Sequence, residues 1–440
     1  MRWGRAASVV ALVGIGVVGI TVAPLQQNPV ATSRYAFLDA MSSGKQDAYL
    51  QKHPDAAVGL LNLHPEANAA AWRDFPKDLR HDLAETLPSL IGGMEGVDYA
   101  SRDVANRAWL RSLIGSAQRA VKKHPSDAVA QQKLRCLLAI KAALRIHKPR
   151  RYLVDLTNDP KPLAAIAIGN LDTARLVSFT IPGMGTYTDD MQLWALGAQN
   201  LYDAQGDAGA TKQRATVAWI GYVTPPPGID AALGQYAHIG AQNLIEALEG
   251  FWAVREPKTR SGKSASTKAS DTITLNVVAH SYGTTTSADA LAAKDLNVYS
   301  FVMLGSAGIE QSVGSARQLH AKHVYAGEAT GDTEARWGRI SRIDPRSPSF
   351  GAIPLAVDGD PNKDELPVTG HAPILHSDWN DNPMSSAWAK FTNVDEFAQK
   401  YLDHLQTYGY LDAGTESIAN VAAVTVPPRH TDAHDATVSP

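Results

Sequence analysis

Residues 275–283, with the sequence LNVVAHSYG, constrain the fold of this chain more than any other segment. An apolar run ends at Ser281 and a helical pattern rich in small residues follows at once, which predicts a strand, a sharp turn and a helix. Small residues two positions before and after such a serine let the strand and helix pack closely while the turn exposes the hydroxyl. Ala279 replaces the first glycine of the usual G-x-S-x-G pattern. An ordinary strand followed by a Ser-rich turn is the alternative interpretation.

Composition excludes several classes of protein. The formal net charge is −3 and no basic run stands out, which argues against a nucleic-acid partner. The single cysteine, Cys136, excludes an intramolecular disulfide, and its apolar helical surroundings predict a buried structural thiol. We predict no metal and no organic cofactor, because neither a Cys/His metal set nor H-E-x-x-H is present. The acidic stretch 358–364 contains Pro361 and lacks a Glu at the twelfth position of a calcium loop, so we interpret it as a solvated loop.

The N-terminus has the pattern of a targeting segment. Arg2 and Arg5 precede 18 uncharged residues, 6–23. We assign residues 1–29 to a signal peptide or a membrane anchor, and the sequence leaves both open. Either way the rest of the chain is expected outside the cytoplasm, secreted or anchored to the membrane or cell envelope. The formal G-x-G-x-x-G at 14–19 follows no strand and is not interpreted as a dinucleotide site.

The organisation of the chain changes at Arg151. Residues 30–150 have apolar positions at helical spacing and predict a helical region. In residues 151–426, β-rich runs alternate with helical patterns, which predicts an α/β domain with a largely parallel sheet. Residues 255–271 are interpreted as a polar surface insertion, and 427–440 as a disordered tail.

Eight strands and four helices are expected in the second region. The first three strands follow one another too closely for helices between them, so they are predicted to form an antiparallel edge of a mixed sheet. The helices are predicted near 189–204, 230–255, 284–294 and 311–320. The strands are predicted near 151–156, 163–168, 176–182, 216–223, 273–279, 298–304, 322–326 and 352–357.

An α/β-hydrolase fold requires an oxyanion loop, a serine, an acid and a histidine in that order, at the carboxyl ends of strands. Residues 182–186, PGMGT, follow the third strand and are interpreted as the oxyanion loop. The backbone N–H groups of Met184 and Tyr282 are the expected donors, since glycines let such groups point at a developing negative charge. Ser281 is the candidate nucleophile.

Asp332, after the seventh strand, is the candidate acid, with Glu328 and Asp344 as weaker substitutes. The histidine must follow the last strand. His371 is the first candidate, and His404 and His376 remain open as alternatives.

With these motifs in place, the chain resembles a family of actinobacterial α/β-hydrolases of unknown function. The family's serine turn is usually G-H-S-Y-G, so Ala279 departs from it. The resemblance implies a Ser-Asp-His hydrolase, with Ser281 and Asp332 assigned by motif. It favours His404 by comparison with shorter relatives and His371 by comparison with longer ones. The matching pieces are residues 87–97, 102–107, 181–186, 219–222, 279–283, 305–308, 344–345, 349–352, 409–412 and 417–420.

The family is more distantly similar to cutinase-like and phage cell-wall-lipid esterases, which implies an acyl ester as the substrate. We therefore expect an exported serine esterase or lipase that acts on a small-molecule or lipid ester, with amidase or peptidase activity as a variant. The hypothesis from another class is a catalytically inactive envelope protein that uses the fold to bind lipid or a protein partner.

Overall fold

A computed structural model describes residues 64–146, 148–226, 234–255, 273–339, 341–377, 381–382 and 394–428. The targeting segment 1–29, residues 30–63 of the helical region, residues 256–271 of the polar insertion and residues 429–440 of the tail lie outside the described residues. The predictions for them, and the division of the chain at Arg151, stay predictions.

The described chain contains one eight-stranded sheet with the spatial order β1-β2-β4-β3-β5-β6-β7-β8. β2 runs antiparallel to both β1 and β4, and the other neighbouring pairs are parallel. The predicted α/β class with a mostly parallel eight-stranded sheet is confirmed. The strands are β1 Arg151–Leu156, β2 Ala164–Ile168, β3 Leu176–Ile181, β4 Arg214–Ile220, β5 Thr274–His280, β6 Val298–Leu304, β7 Ala321–Gly327 and β8 Ile353–Pro354.

Helices cover both faces of this sheet. Val277 and Val278 on β5 belong to opposite hydrophobic clusters, because successive side chains of a strand point to opposite faces. One cluster includes α7 and α8, and the other includes α4, α5, α6 and α11. The helices are α1 Pro65–Asp74, α2 Lys77–Thr86, α3 Pro88–Ile91, α4 Tyr99–Lys123, α5 Ala128–Ala143, α6 Met191–Asp207, α7 Gln235–Arg255, α8 Tyr282–Ala293, α9 Thr333–Gly338, α10 Val394–Leu405 and α11 Glu416–Thr425.

The helical N-terminal region packs on the β1 edge of the sheet. The Asp103 carboxylate on α4 accepts a hydrogen bond from Leu153 N at 2.8 Å, and Asn106 Nδ2 donates to Leu153 O at 3.0 Å. Arg107 donates to Arg151 O at 2.6 Å. These side chains satisfy backbone groups that an edge strand would otherwise expose. Cys136 on α5 is buried, as predicted. None of the helices in the described ranges combines the length and apolarity needed to cross a membrane.

Three predicted elements differ from the structure. β3 is not part of the antiparallel edge: it lies between β4 and β5 and is parallel to both. The helix predicted at 311–320 is reduced to one 3-10 turn, Ala316–Gln318, because Ser315 N donates to the Gln318 side chain and Ala316 N donates to Phe350 O in a neighbouring loop. The last strand, predicted at 352–357, is only Ile353–Pro354: Leu355 N still donates to Ala326 O on β7 at 3.0 Å, but Val357 O accepts instead from Val368 N at 2.9 Å.

Candidate active site

Ser281 occupies a strained turn between β5 and α8. Its backbone has φ 52° and ψ −126°, a combination that a residue with a side chain adopts only when its surroundings enforce it. Ser281 N donates to Leu304 O at 2.9 Å, which fixes the turn to the neighbouring strand. A Cβ added at Gly283 would lie 2.6 Å from the carbonyl oxygens of Ile181 and Pro182. The close approach of β3 to α8 therefore requires glycine two residues after the serine.

Ala279 shows why the first glycine of the pattern can be replaced. It lies on β5, with Ile181 and Met303 as its neighbours on the flanking strands, and it is fully buried. Its φ is not in the left-handed region, in contrast to that of Ser281. A methyl group at this position is therefore compatible with the turn.

His371 joins Ser281 to Asp332. His371 Nδ1 lies 2.9 Å from each carboxylate oxygen of Asp332, and His371 Nε2 lies 2.8 Å from Ser281 Oγ. A carboxylate only accepts hydrogen bonds, so Nδ1 carries the proton, and in the neutral ring Nε2 is left as the acceptor for the serine hydroxyl. The structure thus brings together the three residues that the sequence suggested first. Their catalytic roles stay a prediction, which is developed below.

The carboxyl group of Asp332 is fully buried and held from three sides. Ala335 N donates to Oδ1 at 3.0 Å and the Tyr410 hydroxyl donates to Oδ2 at 2.8 Å. Burial acts to raise the pKa of Asp332, but the hydrogen bond and charge of His371, with these two donors, outweigh it and lower the pKa to about 2. Asp332 is therefore an anion at neutral pH despite its burial.

Two contributors to this site were not predicted. Tyr410 belongs to the stretch 409–412, which the family resemblance included without giving it a role. Its hydroxyl accepts from Ala329 N at 2.9 Å while it donates to Asp332. His280 was visible as the residue before the serine, and its Nε2 donates to His371 O at 2.7 Å. Burial and the neighbouring His371 lower the pKa of His280 to about 3, so the ring is a neutral anchor for the His371 backbone.

The predicted oxyanion loop lies directly against the serine. A Cβ added at Gly183 would be 2.6 Å from Ser281 Cβ, and the Tyr222 hydroxyl anchors the loop by donating to Pro182 O at 2.7 Å. Within the described part of the chain, the N–H groups of Met184 and Tyr282 donate to no protein acceptor. Two free donors beside the serine hydroxyl can stabilise a negative charge that develops on a substrate oxygen.

The other candidate histidines and acids contact different partners. His376 and His404 contact the carboxylate of Asp381, at 3.0 and 2.8 Å, and neither contacts Asp332. Glu328 and Asp344 form ion pairs with arginines, including Arg346 at 3.0 and 3.1 Å. The geometry therefore favours His371 over the other histidines and Asp332 over the other acids.

Two carboxylates of the acidic stretch 358–364 are used in contacts with other groups of the protein. Asp358 accepts hydrogen bonds from the Thr330 backbone and hydroxyl at 2.8 and 2.9 Å. Asp360 accepts from Asn362 N and pairs with Lys363 at 3.1 Å. These contacts agree with the interpretation of the stretch as a loop.

Comparison with known proteins finds similarity to α/β-hydrolases. Residues 159–341 match the model of a family described as alpha/beta hydrolase. An uncharacterized protein of Mycobacterium tuberculosis is 28% identical over 359 residues, which cover 69% of this chain and 52% of the relative. Another, from Mycobacterium bovis, is 28% identical over 251 residues, covering 55% of this chain and 86% of the relative. This chain thus spans about half the length of the first relative.

The solved structures with detectable similarity include an esterase and a dienelactone hydrolase. A hyperthermophilic esterase from Pyrobaculum calidifontis is 14% identical with a TM-score of 0.31, over 54% of this chain and 86% of that one. A dienelactone hydrolase from Anabaena variabilis is 13% identical with a TM-score of 0.29, over 44% of this chain and 79% of that one. The fold assignment rests on the sheet order and the family match, and the predicted resemblance to α/β-hydrolases is confirmed.

Proposed function

We propose that this chain, which has the α/β-hydrolase fold and matches that family over residues 159–341, is a serine hydrolase that cleaves carboxylic esters. The observation that carries the proposal is the hydrogen-bonded chain from Ser281 through His371 to Asp332, with heavy-atom distances of 2.8 and 2.9 Å. It joins a hydroxyl in a strained turn to a base, and the base to a buried anion, as nucleophilic catalysis requires.

In the acylation step, Ser281 Oγ attacks the ester carbonyl carbon while His371 Nε2 takes the hydroxyl proton. The carbonyl electron pair moves to oxygen, and the resulting oxyanion is stabilised by the N–H groups of Met184 and Tyr282. When the tetrahedral intermediate collapses, the imidazolium of His371 returns the proton to the departing alkoxide, and an acyl ester remains on Ser281. Water then attacks this ester by the same sequence and restores the free serine.

Asp332 has two functions in this scheme. Its carboxylate keeps the proton of the neutral His371 ring on Nδ1, which leaves the Nε2 lone pair aimed at Ser281. Its negative charge also stabilises the imidazolium that forms during both steps. The hydroxyl of Tyr410 and the N–H of Ala335 hold the carboxylate in place, so the charge is oriented before a substrate arrives.

The proposed ester class and place of action follow from the sequence. Similarity to cutinase-like and cell-wall-lipid esterases favours acyl or lipid esters over amides. The basic and apolar pattern of residues 1–23 supports export, so we propose that the enzyme acts outside the cytoplasm, secreted or anchored at the membrane. Fractionation of cells that express the full chain tests the location, because recovery in the cytoplasm alone would contradict it.

The test is hydrolysis of p-nitrophenyl esters of short and medium chain length, together with labelling by a fluorophosphonate. We expect turnover with an initial burst, and an adduct on the peptide that contains Ser281. Ser281→Ala should lose labelling and reduce kcat by at least about 10⁴-fold. Ser287→Ala on the same helix is the matched control, because in the described chain its buried hydroxyl has no hydrogen-bond partner.

Parallel assays separate the alternatives. If p-nitroanilides are turned over as fast as the p-nitrophenyl esters, the proposed substrate class changes from esters to amides. His371→Ala should match Ser281→Ala, whereas His404→Ala should retain far more activity than either. If a folded wild type neither turns over any ester nor takes up the fluorophosphonate, the hydrolase proposal is wrong and a binding function replaces it.

A further inference from the structure

A group of three metal-binding side chains lies in the segment that follows His371. His376 Nδ1 is 3.0 Å from Asp381 Oδ1, and His404 Nε2, on α10, is 2.8 Å from the same oxygen. The three ligand atoms all lie within 4.8 Å of one another. The proposed hydrolysis uses none of these residues. No metal-binding pattern is visible in the sequence, because the two histidines lie 28 positions apart.

The hydrogen bonds of His376 determine which of its nitrogens is free. His376 Nε2 lies 2.7 Å from Thr407 O, and a carbonyl only accepts, so Nε2 carries a proton. In the neutral ring Nδ1 is then a lone pair, and it faces the Asp381 carboxylate at 3.0 Å. Two acceptors at this distance repel unless a second proton or a cation lies between them. A cation fits the arrangement in which a ligating histidine donates its other N–H to a backbone carbonyl.

The ring of His376 is also held in a fixed orientation. It stacks on His404 with ring centroids 5.0 Å apart and on Tyr408 with centroids 4.8 Å apart. The backbone N–H of His376 donates to Asp412 at 3.1 Å. Orientation by stacking and by a hydrogen bond on the far nitrogen is the support that a metal ligand requires.

We propose that His376 Nδ1, Asp381 and His404 Nε2 bind one Zn²⁺, with water completing a four-coordinate site. Two imidazoles and one carboxylate are a donor set that zinc prefers. Bond lengths of about 2.0–2.2 Å in a tetrahedral site place ligand atoms about 3.3–3.6 Å apart, so each histidine nitrogen needs to move about half an ångström away from the Asp381 oxygen. The ion is not part of the hydrolytic chemistry.

A zinc ion at this site would connect two separate segments of the chain. His376 lies five residues after His371 in the same loop, and His404 lies on α10. A zinc ion therefore ties the loop that carries the proposed catalytic base to a helix from a later part of the chain. Its binding is expected to stabilise the folded protein and to order that loop, as any ligand specific for the native state does.

The experiment measures zinc on the full chain without an affinity tag, in the Ser281→Ala background so that the result does not depend on hydrolase activity. The protein is stripped with a chelator, titrated with ZnCl₂ by calorimetry, and dialysed for elemental analysis. We expect one zinc per chain and a rise in Tm on binding. Loss of a ligand should weaken zinc binding by more than about 100-fold, since even residues behind the ligands change affinity 10- to 100-fold.

His404→Gln and Asp381→Asn are the test variants, because both keep the side-chain size and allow folding to be checked by circular dichroism. His81→Gln is the matched control: His81 pairs with Glu85 at 3.3 Å on an exposed helix face. The control should bind zinc like the parent. The proposal is overturned if the stripped parent takes up no zinc, if His404→Gln and Asp381→Asn bind it as well as the parent, or if His81→Gln weakens binding as much as they do.

Discussion

Two clusters of buried charged groups in this molecule have different designs. One is the site of Ser281, His371 and Asp332. The other, the Arg102 cluster, is formed by Arg102, Glu95 and Asp155 where the helical region meets β1. Arg102 is 1% exposed and binds both carboxylate oxygens of Glu95, at 2.7 and 3.1 Å.

The donors of the Arg102 cluster are all used in contacts within the protein. Arg102 Nε donates to Gly92 O at 3.1 Å and Nη2 lies 3.8 Å from Asp155, so each donor nitrogen of the guanidinium faces an acceptor. The hydrogen-bonded chain at Asp332, in contrast, ends on the hydroxyl of a strained serine beside two free N–H groups. Burial and charge are common to both clusters, so the features that distinguish the serine site are its strained turn and its two unused donors.

Altered pKa values do not separate the two clusters either. Burial lowers the pKa of Arg102, but Glu95 more than compensates and the net shift is upward. Burial raises the pKa of Asp332, but its hydrogen bonds more than compensate and the net shift is downward. Both groups are held in the charged form. The charged state therefore does not distinguish the two clusters. Variants of the serine site should lower activity, and variants of the Arg102 cluster should lower stability.

Apart from the loss of Ser281 or His371, the largest effect is expected from Asp332→Asn. The amide can donate to His371 Nδ1, which places the ring proton on Nε2 and turns a donor toward Ser281. We expect kcat for an ester to fall by about 10³- to 10⁴-fold. Asp344→Asn is the matched control, since Asp344 pairs with arginines, and it should retain activity within about twofold. An Asp332→Asn enzyme with a tenth of the wild-type rate would contradict the assigned role.

The same variant should alter stability at low pH. The pKa of Asp332 is about 2 in the folded chain and about 3.8 when unfolded, so the unfolded state binds the proton more readily. The stabilisation is fully present above about pH 4 and is lost as the pH falls toward 2. Urea unfolding between pH 5 and 2.5 should therefore show a steeper loss of unfolding free energy for wild type than for Asp332→Asn. Parallel curves would show that the carboxylate is not held as described.

Arg102→Ala should lower stability and leave activity nearly unchanged, in contrast to Asp332→Asn. It leaves the carboxylates of Glu95 and Asp155 buried without their cation, which is expected to cost about 3–5 kcal/mol of unfolding free energy. The rate per folded molecule should stay within about twofold, because Arg102 lies at the β1 edge of the sheet. Arg111→Ala, an exposed residue of the same helix, should change stability by less than about 0.5 kcal/mol. A selective loss of kcat in Arg102→Ala would show that the two clusters are coupled.

The parts of the site that could be predicted are those encoded by short segments. A strand, a sharp turn and a small-residue helix are local, and so are the glycines of the loop at 182–186. Their order along the chain then indicated Asp332. His371 could not be separated from His404 and His376, because the conformation of the loop between them decides which ring faces the serine.

The unpredicted parts depend on contacts between distant segments. Tyr410 reaches Asp332 across 78 positions, and α4 contacts β1 across 44 or more. The insertion of β3 between β4 and β5 is likewise a matter of chain crossing, which the pattern within each strand does not encode. The contacts of Tyr410 support Asp332 at the serine site, and contacts between α4 and β1 are part of the Arg102 cluster.

Tyr410→Phe tests the support of Asp332 and should have a smaller effect. The change removes one hydrogen bond to the carboxylate and leaves Ala329 N without its acceptor. We expect a loss of about 1–2 kcal/mol in stability and roughly a 10-fold fall in kcat/KM. Tyr408→Phe is the matched control, because its hydroxyl donates at 3.2 Å to an exposed carbonyl, that of Leu405. If the two changes have equal effects, the Tyr410 hydroxyl has no specific role in supporting Asp332.

The smallest expected effect tests the strain at Ser281. Alanine keeps the strain of φ 52°, whereas glycine adopts positive φ freely, so Ser281→Gly should be about 1 kcal/mol more stable than Ser281→Ala. Ser287 lies inside α8, where the order should reverse: Ser287→Gly should be about 1 kcal/mol less stable than Ser287→Ala. Urea unfolding of the four variants gives both differences. If glycine destabilises at both positions, the turn stores no strain, and strain no longer distinguishes the serine site from the Arg102 cluster.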